Sequence, residues 1–165
     1  MTIVPLLTAK EIDQKLKRMA FEIWEKNSEE KEISIIGIEE IGAVVAKMIA
    51  DILQQISPLK VKLTTLTINK RNPLQDEIVL STSSLTNKTV VLIDDVANSG
   101  KTLLYAIKPL LDHGPKKIQI AVLVDRKHKN YPITPDIIGH SVSTTLQENI
   151  MVTFDGEKLT GAHLE

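Results

Sequence analysis

An unbroken apolar run, Val90-Val91-Leu92-Ile93, ends on two adjacent carboxylates, Asp94-Asp95, and passes through Val96-Ala97-Asn98-Ser99-Gly100-Lys101-Thr102 into a helical pattern. A strand with no polar alternation is one covered on both faces, as in a parallel sheet. Open α/β sheets bind ligands beyond the carboxyl ends of their strands, so the two acids arrive where such a sheet places a site. The small and hydroxylated residues that follow offer backbone N–H groups, the Ser99 and Thr102 hydroxyls and the positive end of a helix dipole, which together predict a phosphate cradle. Carboxylates accept charge-assisted hydrogen bonds from hydroxyls. Two acids beside a phosphate cradle therefore suit a ligand with vicinal hydroxyls and a phosphate, the description of a ribose 5-phosphate.

On its own an Asp-Asp pair merely punctuates a strand end, and the loop after it is what makes it informative. Gly100-Lys101-Thr102 also matches the end of the P-loop pattern G-x-x-x-x-G-K-[ST]. The first glycine of that pattern falls on Asp95, whose carboxylate would face phosphates instead of yielding its backbone to them. A nucleoside triphosphatase is disfavoured for that reason.

The rest of the chain supplies the scaffold. Thr8-Ala9-Lys10-Glu11 has capping-box spacing, and Ile12, Leu16, Met19, Ala20 and Ile23 follow at helical intervals, predicting a helix over about 9–27. The β-branched run 33–38 reads as a strand, and Gly42 opens a second apolar helix through Val44, Val45, Met48, Ile49 and Ile52. After Pro58, 61–68 is β-rich. Asn69-Lys70-Arg71-Asn72-Pro73 then makes a turn, with Ile78-Val79-Leu80 returning antiparallel as a hairpin with a mobile tip. The helix after the acid-bearing strand ends near His113-Gly114-Pro115. Segment 118–124 repeats the buried-strand pattern, and Ile137-Ile138 and 150–154 supply shorter strands. Alternating strands and helices predict an α/β fold, an open, mostly parallel sheet with helices on both faces.

Composition narrows the function. The 165 residues suit one domain, large enough to bury about 70% of the unfolded chain's surface. Twenty Lys and Arg against twenty-one Asp and Glu exclude a globally basic nucleic-acid binder. The absence of cysteine removes thiolate chemistry and Cys-based zinc sites. Two Phe, two Tyr and one Trp leave few platforms for stacking single-stranded RNA or DNA. No segment approaches the ~18 apolar residues of a membrane span, and a cytoplasmic protein is the default expectation.

Segment 91–103 resembles the 5-phosphoribosyl-1-pyrophosphate (PRPP) signature of type I phosphoribosyltransferases, a strand, two acids and a phosphate loop. The similarity extends to one branch, the bifunctional pyrimidine-operon regulator and uracil phosphoribosyltransferase family. Ala121-Val122-Leu123-Val124-Asp125-Arg126-Lys127-His128-Lys129-Asn130-Tyr131-Pro132-Ile133 resembles that family's segment after its next strand, Asp136-Ile137-Ile138-Gly139 its following stretch, and 7–27 its opening helix. The resemblance covers nearly the whole chain. It implies one domain over 1–165 with a hairpin lid and a small C-terminal hood. Asp94 and Asp95 would be the catalytic acids on the ribose hydroxyls, and Ala97, Asn98, Ser99, Gly100, Lys101 and Thr102 would wrap the 5-phosphate. Asp125 and Arg126 would approach the base, and Ile138 to His140 would close over it as the hood. Asp125-Arg126 reads alternatively as an exposed ion pair at a strand end. The implied activity is transfer of a phosphoribosyl group to a pyrimidine such as uracil. Mg²⁺ would enter with PRPP, held mostly by ligand oxygens and water. The implied partners are PRPP, a nucleobase or nucleoside monophosphate, and further copies of the chain in a homo-oligomer.

Departures from the family pattern point to a rival class. The family's pyrophosphate loop usually carries a hydroxyl residue and an arginine before glycine, whereas this chain reads Glu39-Glu40-Ile41-Gly42. Its hairpin has Lys70 and Arg71 in place of the family's usual acidic pair after an arginine, moving cations from the floor to the lid. A carboxylate about 4 Å from a unit of pyrophosphate charge costs roughly 4 kcal/mol at an effective dielectric of 20. Uncompensated, that slows turnover about a thousandfold. The expectation is therefore detectable but weak transfer, and the alternative is a weakened domain that senses PRPP or a nucleotide and regulates RNA. Lys10, Lys15, Lys17 and Arg18, with Arg126, Lys127 and Lys129, offer a local basic surface. Glu11, Asp13, Glu22 and Glu25 interrupt it, which favours a solvated helix face over an RNA site.

Overall fold

The structure, a computed structural model, describes residues 2–82, 84–145 and 147–165. Strand β1 (Val4–Thr8) leads into α1 (Ala9–Lys26), and β2 (Glu32–Ile38), α2 (Ile41–Ile56) and β3 (Lys60–Thr67) complete a first α/β unit. The hairpin returns as β4 (Val79–Leu80). Then come β5 (Thr89–Ala97), α3 (Lys101–Leu111), β6 (Lys117–Arg126), β7 (Ile137–Val142), β8 (Ile150–Asp155) and β9 (Lys158–Leu164). Thr8 caps α1 as its spacing predicts, its hydroxyl oxygen accepting from Glu11 N at 3.2 Å.

Six strands form one sheet in the order β4-β3-β2-β5-β6-β7, parallel throughout apart from the β3–β4 hairpin, where Leu66 faces Leu80 and Thr67 faces Val79. Successive residues of β5 serve two cores. Val91 and Ile93 pack with α1 and α2 through Leu16, Val45 and Ile49, while Val90 and Leu92 pack with α3 through Leu103, Ala106 and Leu110. That two-sided burial is why the strand carries no polar alternation. The open α/β sheet with helices on both faces is thus the one the sequence pattern predicts.

The hood differs from the expectation in its composition. It is a three-stranded antiparallel sheet, β1-β9-β8, so the N-terminus contributes an edge strand to what reads as a C-terminal feature. β1 escapes a sequence reading because Pro5 sits inside it and only Leu7 is buried. β9 had a usable signal: Gly156-Glu157 makes a two-residue turn, with Gly156 at φ +61° and Asp155 opposite Lys158. Ile138 and His140 lie on β7, an edge strand of the main sheet, and not on the hood.

Candidate functional site

β5 does not stop at Ile93. It runs through both acids to Ala97, carrying Asp94 and Asp95 to the carboxyl edge of the sheet between β2 and β6. Asp94 is 1% exposed, and its Oδ1 accepts from the Asp95 backbone N at 2.9 Å. Lys70 reaches over from the hairpin, its Nζ standing 3.2 and 3.4 Å from the two Asp94 carboxylate oxygens and 3.8 Å from Asp95 Oδ1. Burial pushes the Asp94 carboxyl well above the ordinary aspartate range, the Asp95 charge pushes it further, and Lys70 opposes both.

Two glycines let the backbone close around the acids. A Cβ on Gly42 would stand 2.7 Å from Asp94 Oδ1 and 3.1 Å from the Ile93 carbonyl oxygen, so the start of α2 abuts β5 only because that residue has no side chain. Gly100 adopts φ +84° at the start of α3, where a Cβ would meet Ile133 Cγ2 at 2.7 Å. The N-cap residue Gly100 offers α3 no side-chain cap, which leaves the N–H groups of Thr102 and Leu103, beyond Lys101, available to an anion. Within the loop, Lys101 N donates to Ser99 Oγ at 3.2 Å. From outside, Asn130 N and Tyr131 N both donate to the Ser99 carbonyl oxygen at 3.1 Å, so the β6–β7 connection braces the loop.

Acids, loop, lid lysine and hood share one cavity of about 290 Å³. Asp94 through Leu103 form its floor, Lys70 and Ile41 one flank, and Ile150, Met151 and Val152 of β8 the other. The hood wall was missed in the sequence, where 150–154 reads only as a strand. Its cue is the alternation of buried Ile150 and Val152 around exposed Met151.

The other expected residues lie elsewhere. Glu39 and Glu40 are exposed and outside the cavity wall, and Glu39 Oε2 accepts from the Thr67 hydroxyl at 3.1 Å. The peptide joining them is cis. Arg71 is exposed and, unlike Lys70, does not line the cavity. Asp125 and Arg126 are 4% and 5% exposed, so they are no surface pair, and Asp125 is neutralised by Lys129 at 2.7 Å. Arg126 borders a second cavity beside the loop. Ile138 packs against the α3-side core. His140 is half-buried near α1, where burial and then the Lys15 charge lower its pKa from the ordinary histidine value, with Glu11 opposing. The β7 carbonyls of Ile138 and Gly139 accept from Arg18 Nη2 of α1 at 2.9 and 2.7 Å.

Comparison with known proteins agrees with this geometry. The phosphoribosyl transferase domain model matches residues 6–152. The chain is 36% identical over 162 residues to the bifunctional protein PyrR of Clostridium acetobutylicum, covering 92% of this chain and 90% of that one. It is 37% identical over 150 residues to the PyrR of Brevibacillus brevis, covering 86% and 84%. Among solved structures, the hypoxanthine phosphoribosyltransferase of Trypanosoma cruzi superposes with a TM-score of 0.78 over 96% of this chain and 95% of that one, at 15% identity. A hypoxanthine-guanine phosphoribosyltransferase of Bacillus anthracis gives 0.70 over 87% and 85%, at 20% identity. The domain match over residues 6–152 and the identity of more than a third to PyrR proteins along most of the chain show that it belongs to the type I phosphoribosyltransferase family, in its PyrR branch.

Proposed function

We propose that the protein transfers the phosphoribosyl group of PRPP to a pyrimidine base such as uracil. The observation that carries this reading is the single cavity in which Asp94, Asp95, the loop from Ala97 to Thr102 and the hood strand meet. The loop's N–H groups and the Ser99 and Thr102 hydroxyls take the 5-phosphate. Asp94 and Asp95 accept from the ribose hydroxyls, which fixes the sugar in the plane of the site. Ile41 and Val96 with Ile150 and Val152 give the base an apolar slot. The base nitrogen gives up its proton to solvent and bonds to the anomeric carbon as pyrophosphate departs with the C–O bonding pair. The protein's part is to position the reactants and to stabilise charge that develops on the sugar.

Magnesium fits this donor set. Two carboxylates, Asp94 and Asp95, line the cavity, a hard oxygen donor set of the kind that takes an ion with water and substrate oxygens around it. Asp94 and Asp95 would hold it through the sugar and its water, and it would offset the charge of the diphosphate. Steady-state assays of uracil transfer in PRPP and Mg²⁺ test the proposal, with the Asp94→Asn, Asp95→Asn double variant as control. Turnover lost in that variant supports it, and equal turnover in both proteins sinks it.

One contact favours a second reading, a PRPP or nucleotide sensor with weak turnover. Lys70 already occupies the acids that the ribose would use. A ligand must displace it, which suits a slow, saturable response. Calorimetry showing tight PRPP binding without transfer would select the sensor.

A further inference from the structure

The tip of the β3–β4 hairpin is tied to the sheet through one side chain. β4 is two residues long, and the ladder between the arms pairs only Leu66 with Leu80 and Thr67 with Val79. Beyond that ladder the tip braces itself: Asn69 Nδ2 donates to Asp76 Oδ2 at 2.8 Å, and Asn72 N donates to Asn69 Oδ1 at 3.0 Å. Among the described residues, Lys70 is the only member of 69–77 whose side chain hydrogen-bonds or ion-pairs outside the tip. Its partners are the two acids of the cavity.

Those acids favour a cation beside them. Two adjacent carboxylates repel each other, and the Asp94 side chain is 2% exposed, so an ammonium at 3.2 Å offsets both the repulsion and the lost hydration. Lys101 lines the same cavity but pairs with neither acid. In the free protein the hairpin is therefore drawn shut by charge. The oxygens that receive the ammonium are also those that would accept from ribose hydroxyls, and the two donors compete for them.

We propose that Lys70 is a latch: it holds the hairpin shut over the acids of the free protein and is displaced by the sugar phosphate that binds there. The lid then opens on its ligand instead of closing over it. Displacement rests on the ribose-phosphate reading of the site, whereas the latch in the free chain rests on the Lys70 contacts alone. A ligand that needs the open hairpin binds with an apparent Kd raised by the inverse of the open fraction, so a latch shut about nine-tenths of the time weakens binding about tenfold.

Calorimetry of PRPP with Mg²⁺, paired with ¹⁵N relaxation at the backbone amides of residues 70–72, tests the proposal. Lys70→Met should tighten PRPP binding by up to about tenfold. The 70–72 amides should be ordered in the free natural chain, and should loosen on the fast timescale that relaxation reads when PRPP is added or when Lys70→Met removes the latch. Asp94→Asn with Asp95→Asn keeps the lysine and removes what it grips, and should loosen the same amides without any ligand. Weaker PRPP binding in Lys70→Met, or amides that become more ordered with PRPP, would make Lys70 a clamp on the diphosphate and overturn the proposal. Order unchanged in both ligand-free variants overturns it as well. If PRPP binds neither the natural chain nor Lys70→Met, the ribose-phosphate reading fails, and the ligand-free variants alone decide the latch: loosened amides uphold it and unchanged amides overturn it.

Discussion

Two neighbouring strand ends each pair an aspartate with a lysine, and they do so in opposite ways. At the end of β5, Asp94 takes Lys70 from a hairpin distant in sequence, and the lysine side chain is 39% exposed. At the end of β6, Asp125 takes Lys129 from four residues on, and that lysine is 8% exposed. Ala97 and Asp125 stand opposite each other in the ladder, so the two pairs are neighbours in the same sheet. A half-exposed partner on a hairpin is exchangeable: a ligand or water can take its place. A partner sealed beside its acid is part of the framework, and here it sits against Gly100, whose added Cβ would lie 3.4 Å from Lys129 Cδ. One pair is arranged to open and the other holds the loop the first depends on.

The largest expected effect tests that division. Lys129→Met leaves Asp125 buried without its cation and should cost about 3–5 kcal/mol of stability in urea denaturation. Lys70→Met should cost less than about 1 kcal/mol, because the lysine removed is itself half-exposed and Asp94, pushed toward its neutral form by burial, takes up a proton instead of forcing the chain open. Comparable losses in the two variants would erase the distinction between framework and exchangeable pair.

Ligand affinity sharpens it. Asp94→Asn with Asp95→Asn should weaken PRPP binding by about 3 kcal/mol in calorimetry, since charged hydrogen bonds to hydroxyls are lost. The unfolding midpoint should hold or rise, because the variant removes a buried charge held only by an exchangeable cation. A large drop in stability with unchanged affinity would make the acid pair a structural element.

How much of this was legible in the sequence follows from distance along the chain. The acids and their loop are contiguous, so the expectation of a ribose-phosphate site follows from their types and spacing before any fold is known. The capping box of α1 and the two-sided burial of β5 are equally local. Lys70 over Asp94 spans 24 positions, and only the closing of the hairpin brings them together. On β7 alternate facing decides the outcome: Ile137 packs into the α1/α2-side core and Ile138 against the α3-side core, which a short apolar run cannot announce. Hood strands β1 and β9 meet across nearly the whole length of the chain, with Val4 opposite Leu164. Each carries too few buried residues to stand out alone.

A pH series probes the exchangeable pair with a smaller effect. Asp94 has a folded pKa raised above its unfolded value, so between those two values the folded chain binds more protons than the unfolded one. Stability therefore falls as pH rises through that window, at up to about 1.4 kcal/mol per pH unit. Asp94→Asn should remove this slope, so that its advantage over the natural chain grows from acid toward neutral pH. Parallel urea titrations from acid to neutral pH, giving two curves of the same slope, would mean that Lys70 holds the carboxylate ionised throughout and that the pair is less exchangeable than its exposure implies.

The smallest effect concerns the acids at the entry of α2. The sequence places Glu39 and Glu40 where a carboxylate would repel pyrophosphate, but both side chains are exposed and only Ile41 reaches the cavity wall. Exposed charges are screened within about 10 Å at 0.1 M salt. Glu40→Thr alone should therefore change uracil transfer by no more than about twofold, and that change should vanish at high salt. Its stability effect should also be small: the carboxylate loses a favourable position beside the helix dipole, worth about 0.3–1 kcal/mol, while threonine is the better residue at an N-cap that has no side-chain hydrogen bond. Adding Ile41→Arg puts a cation on the cavity wall, and nearly all of any gain in kcat/KM in the paired variant should come from that second change. Assays of the two single variants and the pair at low and high salt decide the matter. If Glu40→Thr alone supplies the gain and keeps it in salt, the carboxylate faces the diphosphate in the working enzyme, and the repulsion inferred from sequence describes the site better than the exposure of its side chain does.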